Sequence, residues 1–414
     1  MGSDAMSSAP GRGPAETARF AAAISTDGEA ERAETQVVEA ALAAMDGRRP
    51  DLACVFVSHH YGSALEKLGP RLAEAVGARV LVGTSGETVI GGGREVEQGP
   101  ALSLWVGHLP DTELRPFESQ LEMRTDGTGQ FVGAPDVRSS ERAGIVMFAD
   151  PYSFAADEYL ASLDRRHAGV PIVGGMCSGG MGPGQNLLFT ERGLSTHGAA
   201  GVVIEGAVEI RSVVSQGCRP VGKPWVVTGC EANVLRTLAA RPAVEVLFET
   251  LGALPEEDRA LFQRQPFVGL AIDAAKENFE RGDFLVRGIV GIEPQDKSFA
   301  VGDTLRRGQT IQFLVRDADS ASEDLTQLLR TRGTRAPQAP PGSRGALLFS
   351  CNGRGTNMFN RPDHDVGCVR ATLDTALPVA GFFANGEFGP VGRRNFLHGF
   401  TASVALFAPR GSPW

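Results

Sequence analysis

The apolar positions of this chain fall into short runs of strand length, separated by amphipathic stretches, and one order of these runs occurs three times. The first instance reads LACVFVS, a helical stretch, ARVLVGTSGETVIGGG and PALSLWVGHL, from Leu52 to Leu109. The second reads AGIVMFAD, a helical stretch, VPIVGGMCSGGMGPG and GAAGVVI, from Ala143 to Ile204. The third reads GALLFSCNGRG, a helical stretch, LPVAGFFANGEFGPVG and TASVALF, from Gly345 to Phe407. Each predicts a strand, a turn, a helix, a second strand ending in glycine, a glycine-rich loop and a return strand. A strand, helix, strand unit of this length is by default a right-handed crossover between parallel neighbours. The turns after the first strands and the glycine loops after the second then open on one sheet edge, where open α/β sheets hold ligands.

Around these units, Ala18 to Ser25 reads as a strand, and Glu29 to Met45 as a helix with Val37, Val38, Ala41 and Leu42 at helical spacing. Glu113 to Leu121 is expected to pair antiparallel with Leu102 to His108. Val244 to Leu251, Glu256 to Gln263 and Ser320 to Arg332 read as helices. Between them, Pro266 to Asp273, Phe284 to Ile292, Ser298 to Val301 and Thr310 to Val315 predict an antiparallel meander. Residues 334–345 are a proline-rich linker, and residues 1–16 a tail whose Gly, Ser, Ala and Pro content predicts disorder. The pattern predicts an α/β fold of two pseudo-related lobes with mixed sheets, residues 17–215 and 216–414.

The third unit carries the densest polar equipment. Cys351, Asn352, Gly353, Arg354 and Gly355 follow its first strand, where Asn and Arg project donors and glycines leave backbone N–H groups open to an anion. Asn385, Gly386 and Glu387 follow its second strand, with His398 further along the loop. At the corresponding strand ends of the other units stand Ser85, Asp150 and Ser178. Parallel pairing makes Arg354 and Glu387 neighbours, so the two are expected to meet in a cleft. Asp363, His364 and Asp365 open the next helix, as carboxylates do at a positive helix end. An enzyme would need Cys351 as nucleophile with His364 or His398 as base, whereas the binding reading expects Cys351 buried as a small hydrophobe. Cys177 has no cation beside it, and His59 with His60 lacks a third ligand, so no metal and no cofactor are expected. GTGQFVG at 127–133 lacks the preceding strand and following helix of a dinucleotide fingerprint.

Composition narrows the classes. A length of 414 residues exceeds one core and suits two. A net charge of −9 without a basic cluster argues against nucleic acid. No apolar run reaches the roughly 18 residues of a membrane span, and the N-terminus lacks the apolar centre of a signal peptide. Six cysteines without C-x-x-C spacing fit a reducing compartment, so a cytoplasmic location is expected.

FSCNGRG (349–355), PDHD (362–365) and VAGFFANGEFGPVGRRNFLHGFTAS (379–403) resemble the FIST-domain family, as do, more loosely, VGTSGETVIGGG (82–93) and FAVGDTLRRGQTIQFLVRD (299–317). The likeness runs from about Ala18 to Pro409, N-terminal and C-terminal FIST halves in tandem. It departs at Arg393, where the family's loop has a glycine, and at Asn385, where a small residue is common. The resemblance implies a small-ligand-binding sensory module without identifying the ligand, and the residues themselves point to a small polar one, an amino acid or similar carboxylate. Arg354, Asn352 and the glycine-loop N–H groups would hold its acidic end, and Glu387 would accept from an amine or hydroxyl. With no output segment outside the two halves, signalling would require a protein partner or an oligomer change, and an adaptor that recruits a partner is the remaining class.

Overall fold

The computed structural model describes residues 17–276, 278–332 and 340–412, so the expected tail over 1–16 and the first half of the expected linker, residues 334–339, lie outside the described residues. In each unit the first two strands pair parallel: Leu52–Val57 with Val80–Ser85, Ala143–Ala149 with Ile172–Met176, and Gly345–Cys351 with Val379–Ala384. The return strands Leu102–His108, Ala199–Gly206 and Thr401–Pro409 run antiparallel beside the first strands. One residue type recurs at one register position. Gly83, Gly174 and Gly381 sit opposite Val55, Met147 and Leu348. A Cβ at any of them would lie 2.2, 1.8 or 1.8 Å from the carbonyl oxygen of that partner, so only glycine fits.

The first strands are apolar at nearly every position because both faces are covered. Cys54 and Phe56, Val146 and Phe148, and Leu347 and Phe349 point to a core shared by all three units. There Phe56, Phe148 and Phe349 meet edge-on, with ring centroids 5.6, 5.9 and 6.3 Å apart. The alternate positions face helices outside: Val55 packs with Ala30–Ala44 and Leu68–Val76, Ile145 with Ala156–Arg166, and Leu348 with Ala318–Arg332 and His364–Leu373.

The glycine loops do not stay with their own units. Each carries a short hairpin that pairs antiparallel with the second strand of another unit. Val89–Gly91, backed by Arg94–Val96, joins Val379–Ala384 of the third unit. Leu188–Thr190, backed by Gly193–Ser195, joins Val80–Ser85 of the first. Glu387–Val391, backed by Arg394–His398, joins Ile172–Met176 of the second. The exchange closes a ring. A hairpin of this length is marginal alone, and an unpaired second strand would be an exposed edge, so the exchange satisfies both.

One expected pairing differs. Residues 113–121 belong to Thr112–Met123, which pairs with Ala199–Gly206 in the second unit's sheet and not with Leu102–His108. Leu102–His108 is already flanked by Arg19–Ser25 and Leu52–Val57, which leaves it no free edge. The expected meander is an antiparallel sheet in the order Cys218–Glu231, Thr310–Arg316, Phe267–Ala271, Phe284–Glu293, Ser298–Val301, Val234–Leu238, Arg241–Pro242. Its core packs Phe299, Phe313 and Leu247 under Ala243–Ala253 and Glu256–Arg264. The chain is thus α/β with mixed sheets. Its first half supplies two units, and its second supplies the third unit and the antiparallel sheet. Strand Val208–Gln216, paired with Thr401–Pro409 on the third sheet, runs into Cys218 of the antiparallel one. Residues 216–218 therefore join the two sheets beside the ends of the third unit's parallel strands.

Candidate functional site

At those strand ends the Cys351–Gly355 turn delivers Arg354 inward, its side chain wholly buried. It does not meet Glu387. Its Nε and Nη2 donate to Asp365 at 2.6 and 2.8 Å, a bidentate pair. Asp365 also accepts from Ser350 Oγ at 2.8 Å and lies 2.8 Å from His364 Nδ1, while Phe359 stacks on the His364 ring and sits 5.2 Å from the guanidinium. Burial raises the Asp365 carboxyl, but the guanidinium and imidazole outweigh it and hold Asp365 well below the usual carboxylate range.

Asp365 does lie in the first turn of helix His364–Leu373, as its sequence predicts, but it does not cap it. At that helix the backbone is met by the first unit's hairpin, where Glu95 accepts from Val366 N at 2.8 Å; Glu97, just after the hairpin, accepts from Thr356 N at 3.0 Å and from Thr356 Oγ1 at the start of the short helix Thr356–Phe359. Freed from capping, Asp365 turns inward to Arg354.

Glu387 is also fully buried. Its Oε2 accepts from Thr401 N at 3.2 Å and Thr401 Oγ1 at 2.6 Å, and its Oε1 has no partner. Burial pushes it up to about 8, against the Thr401 hydrogen bonds and the charge of Arg354. It is therefore a carboxylic acid over much of the neutral range, able to donate as well as accept. The charges of Arg354 and Glu387 act on each other, although no hydrogen bond joins them.

The antiparallel sheet adds what sequence reading missed. Arg316 reaches across to donate from Nη2 to the Gly353 carbonyl, lies over the Phe400 ring at 5.8 Å, and leaves Nε buried without a partner. Phe400 adopts φ +63°, a strained value for a bulky residue, and its carbonyl accepts from Gly217 N at 2.9 Å. A Cβ on Gly217 would lie 3.2 Å from Arg354 Nη1, so the glycine keeps bulk away from that nitrogen, which has no partner. The signals in sequence were faint: an arginine ending the apolar strand TIQFLVR, and a glycine beside Cys218.

Cys351 lies in this group with its thiol pushed up to about 12, first by burial and then by Glu387, and Cys218 is pushed up to about 12 by burial. Neither is a thiolate at neutral pH. The bases proposed for Cys351 face elsewhere. His364 contacts Asp365 and Ser322 Oγ, and His398 donates from Nε2 to the Gly389 carbonyl at 3.0 Å, its burial pushing it down to about 4. Asn352 and Asn385 stand at the rim, Nδ2 to Oδ1 3.4 Å, with Asn352 Oδ1 buried and unpartnered. Gly386 lends its carbonyl to Met176 N at 2.8 Å.

Ser85, Asp150 and Ser178 lie apart from Arg354, in the joint between units. Ser178 Oγ donates to the Phe383 carbonyl and accepts from Glu87 N, and Ser85 Oγ donates to the Ser178 carbonyl at 3.3 Å. Asp150 accepts from Asn186 Nδ2, Tyr152 N and Ser153 Oγ. His59 and His60 turn to Ser178 O and Ser58 Oγ. Among the described residues no group of three or more His, Cys, Asp or Glu is placed to hold a metal ion, and no helix is long and apolar enough to cross a membrane.

A model of the FIST N domain matches residues 51–241, and a model of the FIST C domain matches residues 243–390. The uncharacterized protein Rv0628c of Mycobacterium tuberculosis (strain ATCC 25618 / H37Rv) is 34% identical over 389 residues, covering 94% of this chain and 99% of that protein. The uncharacterized protein Mb0898c of Mycobacterium bovis (strain ATCC BAA-935 / AF2122/97) is 33% identical over 389 residues, with 94% and 98% covered.

Proposed function

This chain belongs to the FIST family, with its N and C domains in tandem, and from that membership in a sensory and signal-transduction family we propose that it is a receptor for a small polar carboxylate, amino acids included. The carrying observation is a set of buried polar atoms without partners, from three stretches of chain that converge on one strand end. They are Arg316 Nε, Asn352 Oδ1, Arg354 Nη1 and Glu387 Oε1. Unpaired buried groups are costly and therefore uncommon, and a ligand that supplies the missing partners recovers that cost.

A carboxylate is the complement of Arg316 and Arg354. An amine or hydroxyl on the same ligand suits Asn352 Oδ1 and Glu387. Asn385 and Gly386 shape the rim through which it enters, and the left-handed Phe400 is the strained element whose relaxation would accompany entry. Signal output then passes to a protein partner or to a change of assembly. The enzyme reading lacks support, because Cys351 is a protonated thiol whose proposed bases are engaged elsewhere.

The test is a thermal-shift screen of amino acids and dicarboxylates beside their amides. A ligand at 100 times its Kd should stabilise by about 2.7 kcal/mol. The shift should require the free carboxylate and vanish in Arg316→Gln, a half-buried residue whose loss leaves the Arg354 pair intact. A shift given equally by the amides, or kept in Arg316→Gln, overturns the reading.

A further inference from the structure

Cys218 and Arg219 are adjacent on one strand, as are Arg316 and Asp317 at the end of the next, and they face opposite ways. Cys218 and Arg316 face the site above. Arg219 and Asp317 meet on the far side at 2.8 Å, beside a cavity of about 550 Å³ between strand Cys218–Glu231 and the helices Ala243–Ala253 and Glu256–Arg264. That volume lies within the usual range for small-ligand pockets. Its walls are apolar where Pro220, Val221, Trp225, Leu254 and Pro255 line it.

Lys223 is the least directly engaged of its charges, acting on Glu249 through space without an ion-pair contact. Arg219 is bound by Asp258 as well as Asp317, and Glu249 by Arg241. Among the described residues no carboxylate is in ion-pair contact with the Lys223 ammonium, which sits over the Trp225 ring, 4.3 Å from its centroid. Trp225 is itself more than nine-tenths buried, and its indole N–H has no acceptor. An indole N–H without an acceptor and an ammonium without a direct ion pair thus belong to two residues that line one cavity. A buried indole N–H ordinarily has a partner.

We propose that this cavity is a second ligand site, separate from the one at Arg354, for a small carboxylic acid with an aromatic or other apolar body. The body lies against Trp225, Pro220 and Pro255, and the carboxylate supplies negative charge to Lys223 and an acceptor to the indole N–H. A neutral isostere provides neither charge nor the same acceptor strength, so the site selects acids over their amides.

Phenylacetate and phenylacetamide titrated against the full chain, with tryptophan emission as readout, test this. Phenylacetate should give a saturable change in emission and phenylacetamide none. With both proteins carrying Trp414→Phe, Trp225→Phe should abolish the change, since the remaining tryptophan, Trp105, is buried in the core shared by the three units. Lys223→Gln, at an exposed position whose loss does not threaten folding, should weaken affinity by roughly fivefold, the effect of one solvent-accessible ion pair. The proposal is overturned by an absent or non-saturable response, by an equal response to the amide, by a response that survives Trp225→Phe, or by unchanged affinity in a folded Lys223→Gln variant. None of these outcomes touches the Arg316-dependent binding proposed above, so the two readings fail separately.

Discussion

Replacing Arg354 by Met or Asp365 by Leu separates what their pair contributes from what its burial costs. Two of the hydrogen bonds reaching Asp365 come from the guanidinium, at 2.6 and 2.8 Å, and both partners are fully buried. Charge-assisted bonds are each worth about 1.5–3 kcal/mol, and breaking a buried pair from one side costs about 3–5 kcal/mol because the survivor is left as an unmatched charge. Against a total of about 5–15 kcal/mol for a domain, either single change removes a large fraction. The double variant leaves no orphaned charge, and apolar replacement of a buried pair is often close to neutral. The two single losses should therefore fall well short of adding, with a coupling on the order of 3 kcal/mol or more.

Urea unfolding followed by circular dichroism at neutral pH is the assay. Asp365 has a depressed folded value, so its contribution is present above the unfolded value of about 3.9 and is lost only as pH falls through the folded one, which leaves neutral pH outside the affected range. Single variants that lose less than about 1 kcal/mol, or a double variant that loses the full sum, would refute the buried-pair argument.

Three further outcomes follow from other features. Glu95 and Glu387, both pushed up to about 8, chiefly by burial, hold protons that the unfolded chain releases near 4.5, so stability falls as pH rises between those values; His398, pushed down to about 4, works oppositely below 6.5. The melting temperature should accordingly drop from pH 6.5 to 8, and a Glu95→Gln, Glu387→Gln double variant should flatten the slope; an unchanged slope refutes the assignment. Gly174→Ala brings a Cβ to 1.8 Å from the Met147 carbonyl and should cost on the order of 1–3 kcal/mol in denaturant melts, whereas Gly28→Ala, with nothing within 4 Å, should stay within about 0.5 kcal/mol; equal effects refute the close-approach explanation. Residues 1–241 expressed alone lack the partners of Val89–Gly91 and Ile172–Met176 and should aggregate unless the remainder is co-expressed; a monomer with a cooperative melt would refute this.

What was legible in the sequence was what periodicity and spacing encode. The three parallel pairs follow from apolar runs too short for helices and set about thirty residues apart. The antiparallel sheet follows from turn residues between β-branched runs. What stayed hidden was long-range choice. Nothing in GETVIGGG says that Val89–Gly91 will pair with a strand nearly 300 residues on, and nothing in PDHD says that Asp365 is relieved of capping by Glu95. The sheet of Thr112–Met123 is hidden for the same reason, since its alternation fits either neighbour equally. The Arg354 turn was found because glycine and polar residues cluster there. Its partner is not legible there, because adjacency of strand ends ranks Glu387 ahead of Asp365, a carboxylate on the following helix.

The ring of exchanged hairpins also sets a timetable. A chain made from its N-terminus reaches Val89–Gly91 long before Val379–Ala384, the strand that receives it, has been translated, and the second unit's sheet waits for Glu387–Val391 at the far end. At roughly 5–20 residues per second, those edges stay open for tens of seconds on the ribosome. The first two units must pass that interval with two pairings unmade, exposed to any competing strand. Closure comes only when the last stretch, the one that also carries Arg354 and Glu387, threads into place. The site residues of that last stretch, Arg354 and Glu387, are therefore among the last to be ordered, and a nascent chain that binds ligand through them has, by that fact, finished folding.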